Sequence, residues 1–320
     1  MRTIDLTLLP NEAVKSGIFR IADTLIEDAL CRAKAPGSDP EEVIHFFRTT
    51  TKRLRALLQL IRPEIGRAAF VTENARWKKI AGQLAIPRDR VLVAKTMKTL
   101  SKSAAIVLAP NEQCCGGHDK TCRAESAGKS LEQQAIRQAT NDCDLARSSF
   151  YRLRIDADGW AAIGPGLLKV YRQARRRMLK AISHPSDLNF HRWRVRVKHL
   201  FYQLEWLEPV WPARFIALRE RLHELEKKLG TDHDLVVLRN VLKEGTKGAA
   251  FLGPCRGVKK SAKKTSRCLR RSCKTTGIRI FREKPGKFGR KCKRRWEAWR
   301  NDCNNGPSPH ENGKFEATFK

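Results

Sequence analysis

Two stretches of the chain place histidine, arginine and lysine at spacings suited to holding a multiply charged anion. Residues 45–58 read HFFRTTTKRLRALL and residues 191–204 read HRWRVRVKHLFYQL. His45, Arg48, Lys52, Leu54 and Leu58 match His191, Arg194, Lys198, Leu200 and Leu204 at a constant offset of 146. At about 100° per residue, His45, Arg48, Lys52 and Arg55 fall along one stripe of a helix. Phe46, Leu54, Leu57, Leu58 and Ile61 fall on the opposite side and must meet a core. Solvated helix faces normally mix signs to gain pairs one turn apart. No Asp or Glu occurs between His45 and Arg62, so this face forgoes that help. Like charges stacked a turn apart repel unless an anion lies between them. Arginine grips phosphate oxygens in pairs, lysine acts as a point charge, and histidine adds a donor that charges near neutral pH. Arg53 adds to the first stretch; Arg192 and Arg196 add charge to the second while projecting away from its stripe. Tyr171–Lys180 forms a third cationic helix, with Arg172, Arg175, Arg176 and Lys180.

Helical periodicity runs through the chain and strand signals are scarce, which predicts an all-α protein of about ten helices. Breakers at Pro36–Pro40, Pro63–Gly66, Gly159–Gly166, His184–Asp187, Pro209–Pro212, Gly230–Asp232 and Pro285–Gly286 separate the segments. Ser186 and Asp187, or Thr231 and Asp232, have the character of helix N-caps. A second correspondence sets Arg88 and Asp89 before VLV against His233 and Asp234 before LVVL. Asp89 and Asp234 are read as residues that open helices rather than as acids. Two correspondences in the same order predict a duplicated module: one helical half over 1–160, a second over 161–300, and a polar tail over 301–320. A Cys-rich segment near 111–125 reads as an insertion in the first half.

Composition limits the partner. Lys and Arg number 65 against 33 Asp and Glu, a net charge of +32 in 320 residues. Such a field points to a polyanion. The 41% of hydrophobic residues suffices for a packed core and excludes a disordered chain. No apolar run is long enough to enter a membrane, and no collagen or heptad period appears. The start, MRTIDLTLLPNEAVKSG, lacks the basic-then-apolar pattern of a secretory signal, so a cytoplasmic location is expected. Cys114, Cys115, His118 and Cys122 lie close together, but their spacing fits no standard zinc site and no metal is expected there. There is no P-loop, G-x-G-x-x-G or H-E-x-x-H. Phosphoanhydride chemistry normally uses carboxylates that hold a divalent metal, and the cationic faces supply almost none. Binding without catalysis, and without a cofactor, is the expectation.

The string H-x2-R-x3-K-R-L-R with its second copy, YRQARRR, LGTDHDLVVL and the late FREKPGKF and RRWEAWR segments resemble CHAD proteins, the conserved histidine α-helical domain family. The resemblance covers about residues 12–300. It implies two pseudo-symmetric four-helix bundles with a central basic groove or pore that binds inorganic polyphosphate, and with it association with polyphosphate granules. By matching positions that role falls to His45, Arg48, Lys52, Arg53, Arg55, His191, Arg194 and Lys198. Arg175 and Arg176 follow from YRQARRR, and Arg172, Lys180 and Arg196 join on charge and proximity. His199 and Phe201 depart from the basic run the family pattern would continue. The rival partner is nucleic acid bound without sequence preference, because residues 245–300 carry 20 basic and 2 acidic residues. Aromatics are only 7% of the chain and sit mostly on apolar faces, which argues against base stacking. In the basic stretch after Gly253, an apolar stripe of Val258, Ala262, Leu269, Cys273 and Ile280 survives at helical spacing, with cysteine as a small core residue.

Overall fold

The structure is a computed structural model and describes residues 5–85, 92–93, 95–97, 99–100, 118–245 and 253–304. It is all-α, with no strand among the described residues. The helices are α1 (Val14–Lys34), α2 (Pro40–Leu60), α3 (Arg62–Gln83), α4 (His118–Phe150), α5 (Gly159–Ser183), α6 (Asp187–Trp206), α7 (Pro212–Gly245), α8 (Gly253–Ile280) and α9 (Pro285–Asn304). A single 3-10 turn, Glu208–Val210, joins α6 to α7.

The two helices that carry the histidine motifs begin on local signals. Asp39 caps α2 by accepting from the Glu41 amide (3.1 Å), with Pro40 in the first turn and Glu41 and Glu42 beside the positive helix end. Ser186 caps α6 by accepting from the Asn189 amide (3.2 Å), ahead of Asp187. Each cap lies five or six positions before its histidine, so both stripes start in the second turn. The apolar side of α2 is buried as the spacing requires: Leu54, Leu57, Leu58 and Ile61 are fully enclosed. Phe46 is half-buried under the Arg32 guanidinium, 4.2 Å from the ring centroid.

One expected break is absent and another falls earlier than expected. The segment Gly230–Asp232 continues α7, so Thr231 and Asp232 are not caps and Asp234 lies inside a helix. Asp232 has a tertiary role instead. It is buried, and accepts from the Ser266 hydroxyl and from Arg270 Nε (3.0 Å), which ties α7 to α8. The other break lies over 151–158: Gly159 starts α5, and the helix continues through Pro165. Gly166 is needed for packing: a Cβ there would run into the Leu60 carbonyl, so its absence lets α5 touch the end of α2 backbone to backbone.

Helix α2 packs against α1, α3, α5 and α6, and α6 packs against α5 and α7, which puts the two motif helices at the centre. Gln203 of α6 donates to the Ala56 carbonyl of α2 (3.0 Å) inside that contact. One apolar core runs from Leu8 to Trp296 and is shared by residues on both sides of position 160. A smaller cluster joins Leu235 and Leu238 to Val258 and Ala262 of α8. With Cys273 and Ile280 buried and Leu269 packed beside them, the apolar stripe expected in α8 is present. Burial pushes the Cys273 thiol up to about 12, which leaves it an inert core residue.

Candidate functional site

The cations of α2 and α6 divide between two environments. In the first, Lys52 and Arg53 of α2 and Arg194 and Lys198 of α6 gather around acids. Lys198 Nζ lies 2.8 Å from Glu226 Oε1 on α7, and Arg194 Nη2 lies 3.6 Å from the same oxygen. Burial pushes the Glu226 carboxyl up, but the charge and hydrogen bond of Lys198, then Arg194 and Lys52, outweigh it and hold the group below its ordinary 4.5. Arg53 Nη2 pairs with Glu205 Oε1 at 3.1 Å, and its guanidinium lies 5.3 Å from the Tyr202 ring centroid. Arg219 binds Glu205 (3.4 Å) and Glu208. Burial is the main reason the Tyr202 hydroxyl is pushed up to about 12. This face already contains its own anions.

In the second environment, Arg55 of α2 and Arg196 and His199 of α6 meet Arg62 at the start of α3 and Lys169 and Arg177 of α5. Arg196 is brought down to about 10, first by burial and then by Arg177, Arg62 and Arg55. Lys169 is lowered by burial, Arg62 and Arg196, and Arg55 by burial. His199 is 5% exposed, and its Nδ1 lies 3.3 Å from Arg196 Nη1. Burial, with Arg196 and Arg55 adding repulsion, holds its imidazole well below the ordinary 6.5, so it is neutral and Nδ1 can accept from the arginine. Arg55 Nε donates to Asn74 Oδ1 (3.0 Å), and Arg62 lies over the Phe70 ring at 4.3 Å. Among the described residues, none of Arg55, Arg62, Lys169, Arg177 and Arg196 has a carboxylate within 4.0 Å; their ion pairs are with no one. A cluster of half-desolvated, mutually repelling cations is a place where an entering polyanion gains most.

The fold builds this cluster through the Gly166 contact. With α5 held against the end of α2, Lys169 follows one turn later, and Arg177 stands eight positions after that, about 80° further round the helix, where its charge reaches Arg196. Arg176 and Lys180, exposed, follow Lys169 at seven and eleven positions, so the charge continues from the cluster onto an open surface. Arg172 is also exposed on this side.

Other residues named from the sequence stand apart. Arg48 Nη1 donates to the Ala81 carbonyl of α3 (2.9 Å). His45 is exposed in a pocket it shares with Asp39, Glu41 and Glu42, a setting of mixed sign. The His191 ring lies against that of His233, tilted by 40° with centroids 4.9 Å apart, and burial and then Arg194 lower its pKa. Arg175 turns the other way and donates to the Phe281 carbonyl (3.2 Å), where it fixes the turn between α8 and α9. Arg62, Lys169 and Arg177 belong to the acid-free cluster and were not among the residues read from the sequence. The i, i+8 spacing of Lys169 and Arg177, within one broad helix stripe, is the signal that would have found two of them. Residues Arg88, Asp89, Cys114 and Cys115, and the side chains of His118 and Cys122, lie outside the described residues. Among the described residues no group of three or more His, Cys, Asp or Glu is placed to hold a metal ion, and no helix is long and apolar enough to cross a membrane.

Comparison with known proteins bears on the whole of this arrangement. The family model described as the CHAD domain matches residues 21–243, a span that includes α2, α5, α6 and nearly all of α7. Among solved structures, the chain is similar to the crystal structure of the CHAD domain from the plant Ricinus communis, with a TM-score of 0.57 and 17% sequence identity. That likeness covers 89% of this chain and 96% of the plant chain, and at this identity it is a likeness of fold. No curated protein matches the sequence.

Proposed function

The chain belongs to the CHAD domain family, and from that premise we propose that it binds inorganic polyphosphate, without turning it over, along the cationic surface of α2, α5 and α6. The observation that carries this reading is the cluster of Arg55, Arg62, Lys169, Arg177 and Arg196, which has no carboxylate in ion-pair reach among the described residues. Its members come from four helices and are half-desolvated or line the rim, so phosphate oxygens would meet several preorganised donors at once. Exposed Arg176 and Lys180 extend the same side of α5 and give a long chain somewhere to continue. Lys52, Arg53, Arg194 and Lys198 form a second stretch of the same surface, where a polyanion must displace or share with Glu226 and Glu205, and His45, Arg48 and His191 lie outside both stretches. No carboxylate pair within the acid-free cluster is available to position a divalent metal over a phosphoanhydride, which is why binding rather than cleavage is proposed. Association with polyphosphate granules in the cytoplasm follows from the ligand.

A second reading rests on α8. This helix has no acidic residue, and Lys260, Lys263, Lys264, Arg267 and Arg271 are exposed on it, so it can meet a nucleic-acid backbone without reading sequence. A competition titration at physiological salt separates the two. Labelled long-chain polyphosphate is challenged with equal phosphate equivalents of RNA and DNA. Polyphosphate is expected to outcompete both, and equal or tighter binding of nucleic acid transfers the function to the second reading.

A further inference from the structure

A cleft of about 1030 Å³ lies between the N-terminal part of α7, the turn that joins α8 to α9, and the first turns of α9. It uses none of the residues on the α2, α5 and α6 surface. Its wall is fixed from behind. The Tyr171 hydroxyl donates to the Glu283 carbonyl (3.0 Å), Arg175 holds the Phe281 carbonyl, and Tyr171 stacks on Phe288 with centroids 4.3 Å apart. The Glu283 carboxylate engages Lys291 (2.8 Å) and Arg214 (3.4 Å).

That leaves five further cations on the lining: Arg221, Arg279, Arg282, Lys284 and Lys287. All five are exposed, and among the described residues none has a carboxylate in ion-pair reach; Glu224 is the one other acid on the wall. The N-terminus of α9 opens into the same space, with no acidic residue in its first turn to occupy the positive end of the helix. Three independent sources of positive potential, two helices and a pinned turn, therefore converge on one concave volume. The aromatic at its edge, Trp211, already carries the Arg295 guanidinium 5.4 Å from its ring centroid, which leaves phosphate rather than base stacking as the means of recognition. Four of the five cations lie beyond the family match, which ends at residue 243.

We propose that this cleft is a second anion site, specific for a short linear oligophosphate of about three phosphates, a size that several converging cations can neutralise where a single phosphate cannot engage them all. The same chemistry occurs free or as the tail of a nucleoside triphosphate, and the site recognises the tail. The proposal stands apart from the polyphosphate surface, so the two can fail separately. Calorimetric titration of the full chain with tripolyphosphate, ATP and orthophosphate tests it. Tripolyphosphate is expected to saturate one tight site, ATP to bind no tighter, and orthophosphate to bind far more weakly. The triple variant Arg279→Ala, Arg282→Ala, Lys287→Ala should lose at least about tenfold in tripolyphosphate affinity, and the single charge reversal Arg282→Glu should do likewise with less change to the chain. The pair Lys15→Ala, Lys78→Ala, which removes two exposed charges that belong neither to this cleft nor to the α2, α5 and α6 surface, should leave that affinity within about twofold. Wild-type binding by both cleft variants, an equal loss in the Lys15 and Lys78 pair, or ATP binding more than about tenfold tighter than tripolyphosphate would overturn the assignment.

Discussion

The α2–α6 pair presents two cationic regions of similar charge and opposite character. Around Glu226 and Glu205, the cations Arg53, Arg194 and Lys198 are drawn into ion pairs with Lys52 adding its charge nearby, and the Glu226 carboxylate is held in its charged form. Around His199, the cations Arg55, Arg62, Lys169, Arg177 and Arg196 face one another, and Lys169, Arg55 and Arg196 are all held below their ordinary values. The first region spends its charge on acids of the same chain and contributes to the joint between α2, α6 and α7. The second contributes repulsion to the empty protein and attraction to a ligand. Formal charge counted along a helix therefore says little about how much of it is available; what the neighbouring helix brings decides that.

The largest expected effect comes from removing charge on the two sides separately. Arg55→Ala with Arg196→Ala deletes two charge-assisted phosphate contacts at about 1.5–3 kcal/mol each, a loss of polyphosphate affinity of at least about a hundredfold. Arg194→Ala with Lys198→Ala, whose charges are already engaged by Glu226, should lose about tenfold or less, and the exposed pair Lys263→Ala with Lys264→Ala less than about threefold. Stability without ligand should move in opposite directions. The first pair relieves repulsion and should raise the thermal midpoint, whereas the second strands a largely buried Glu226 carboxylate and should lower it. Equal affinity losses for all three pairs would reduce binding to diffuse electrostatics and erase the distinction between the two regions.

A smaller effect tests whether the His199 region lacks acids. The folded protein holds His199 well below its ordinary 6.5, so the unfolded chain binds the proton first as pH falls. The stability associated with neutral His199 is complete above about pH 6.5 and is lost below it, on the order of 1 kcal/mol by about pH 5.5. His199→Gln should flatten that part of the stability profile relative to the wild type. An unchanged slope between about pH 7.5 and 5.5 would mean that a compensating charge reaches the imidazole.

Much of this was legible in the sequence, and the limits are physical. Helical periodicity and the caps Asp39 and Ser186 are local signals, so the all-α fold and the placement of α2 and α6 follow from them. The break expected at Gly230–Asp232 fails because contact with Ser266 and Arg270 gives Asp232 a use inside a helix, whereas the one expected at Gly159–Gly166 ends at Gly159, and Gly166 serves the contact with the Leu60 carbonyl from inside α5. The stripe arithmetic placed Arg194 and Lys198 on one side and sent Arg196 away from it, as found. It could not show that Glu226, 28 positions after Lys198, fills the first side, nor that Lys169 and Arg177 bring only more positive charge to the other. Arg175 shows the same limit: its letter fits a basic motif, while its Nε is committed to a backbone carbonyl.

The smallest and most specific effect concerns Glu226 itself. Its carboxylate occupies, from within the chain, the position an external phosphate oxygen would take between Lys198 and Arg194, so it competes with the ligand. Glu226→Gln keeps the shape and some hydrogen bonding but removes the charge, and should raise polyphosphate affinity by about three- to tenfold, on the order of the 1 kcal/mol that one partly screened ion pair contributes. The same change should lower stability without ligand, since the folded protein holds this carboxyl below 4.5 and the stability it contributes is present above that value and is lost as pH falls through the depressed one. The pH dependence supplies the check that a merely structural role would not meet. As the wild type is acidified through that range, protonating Glu226 should tighten polyphosphate binding toward the level of the glutamine variant, whose own affinity changes less. If Glu226→Gln instead weakens binding, the carboxylate is orienting Lys198 and Arg194 for the ligand rather than competing with it, and the two regions of the α2–α6 surface act as one.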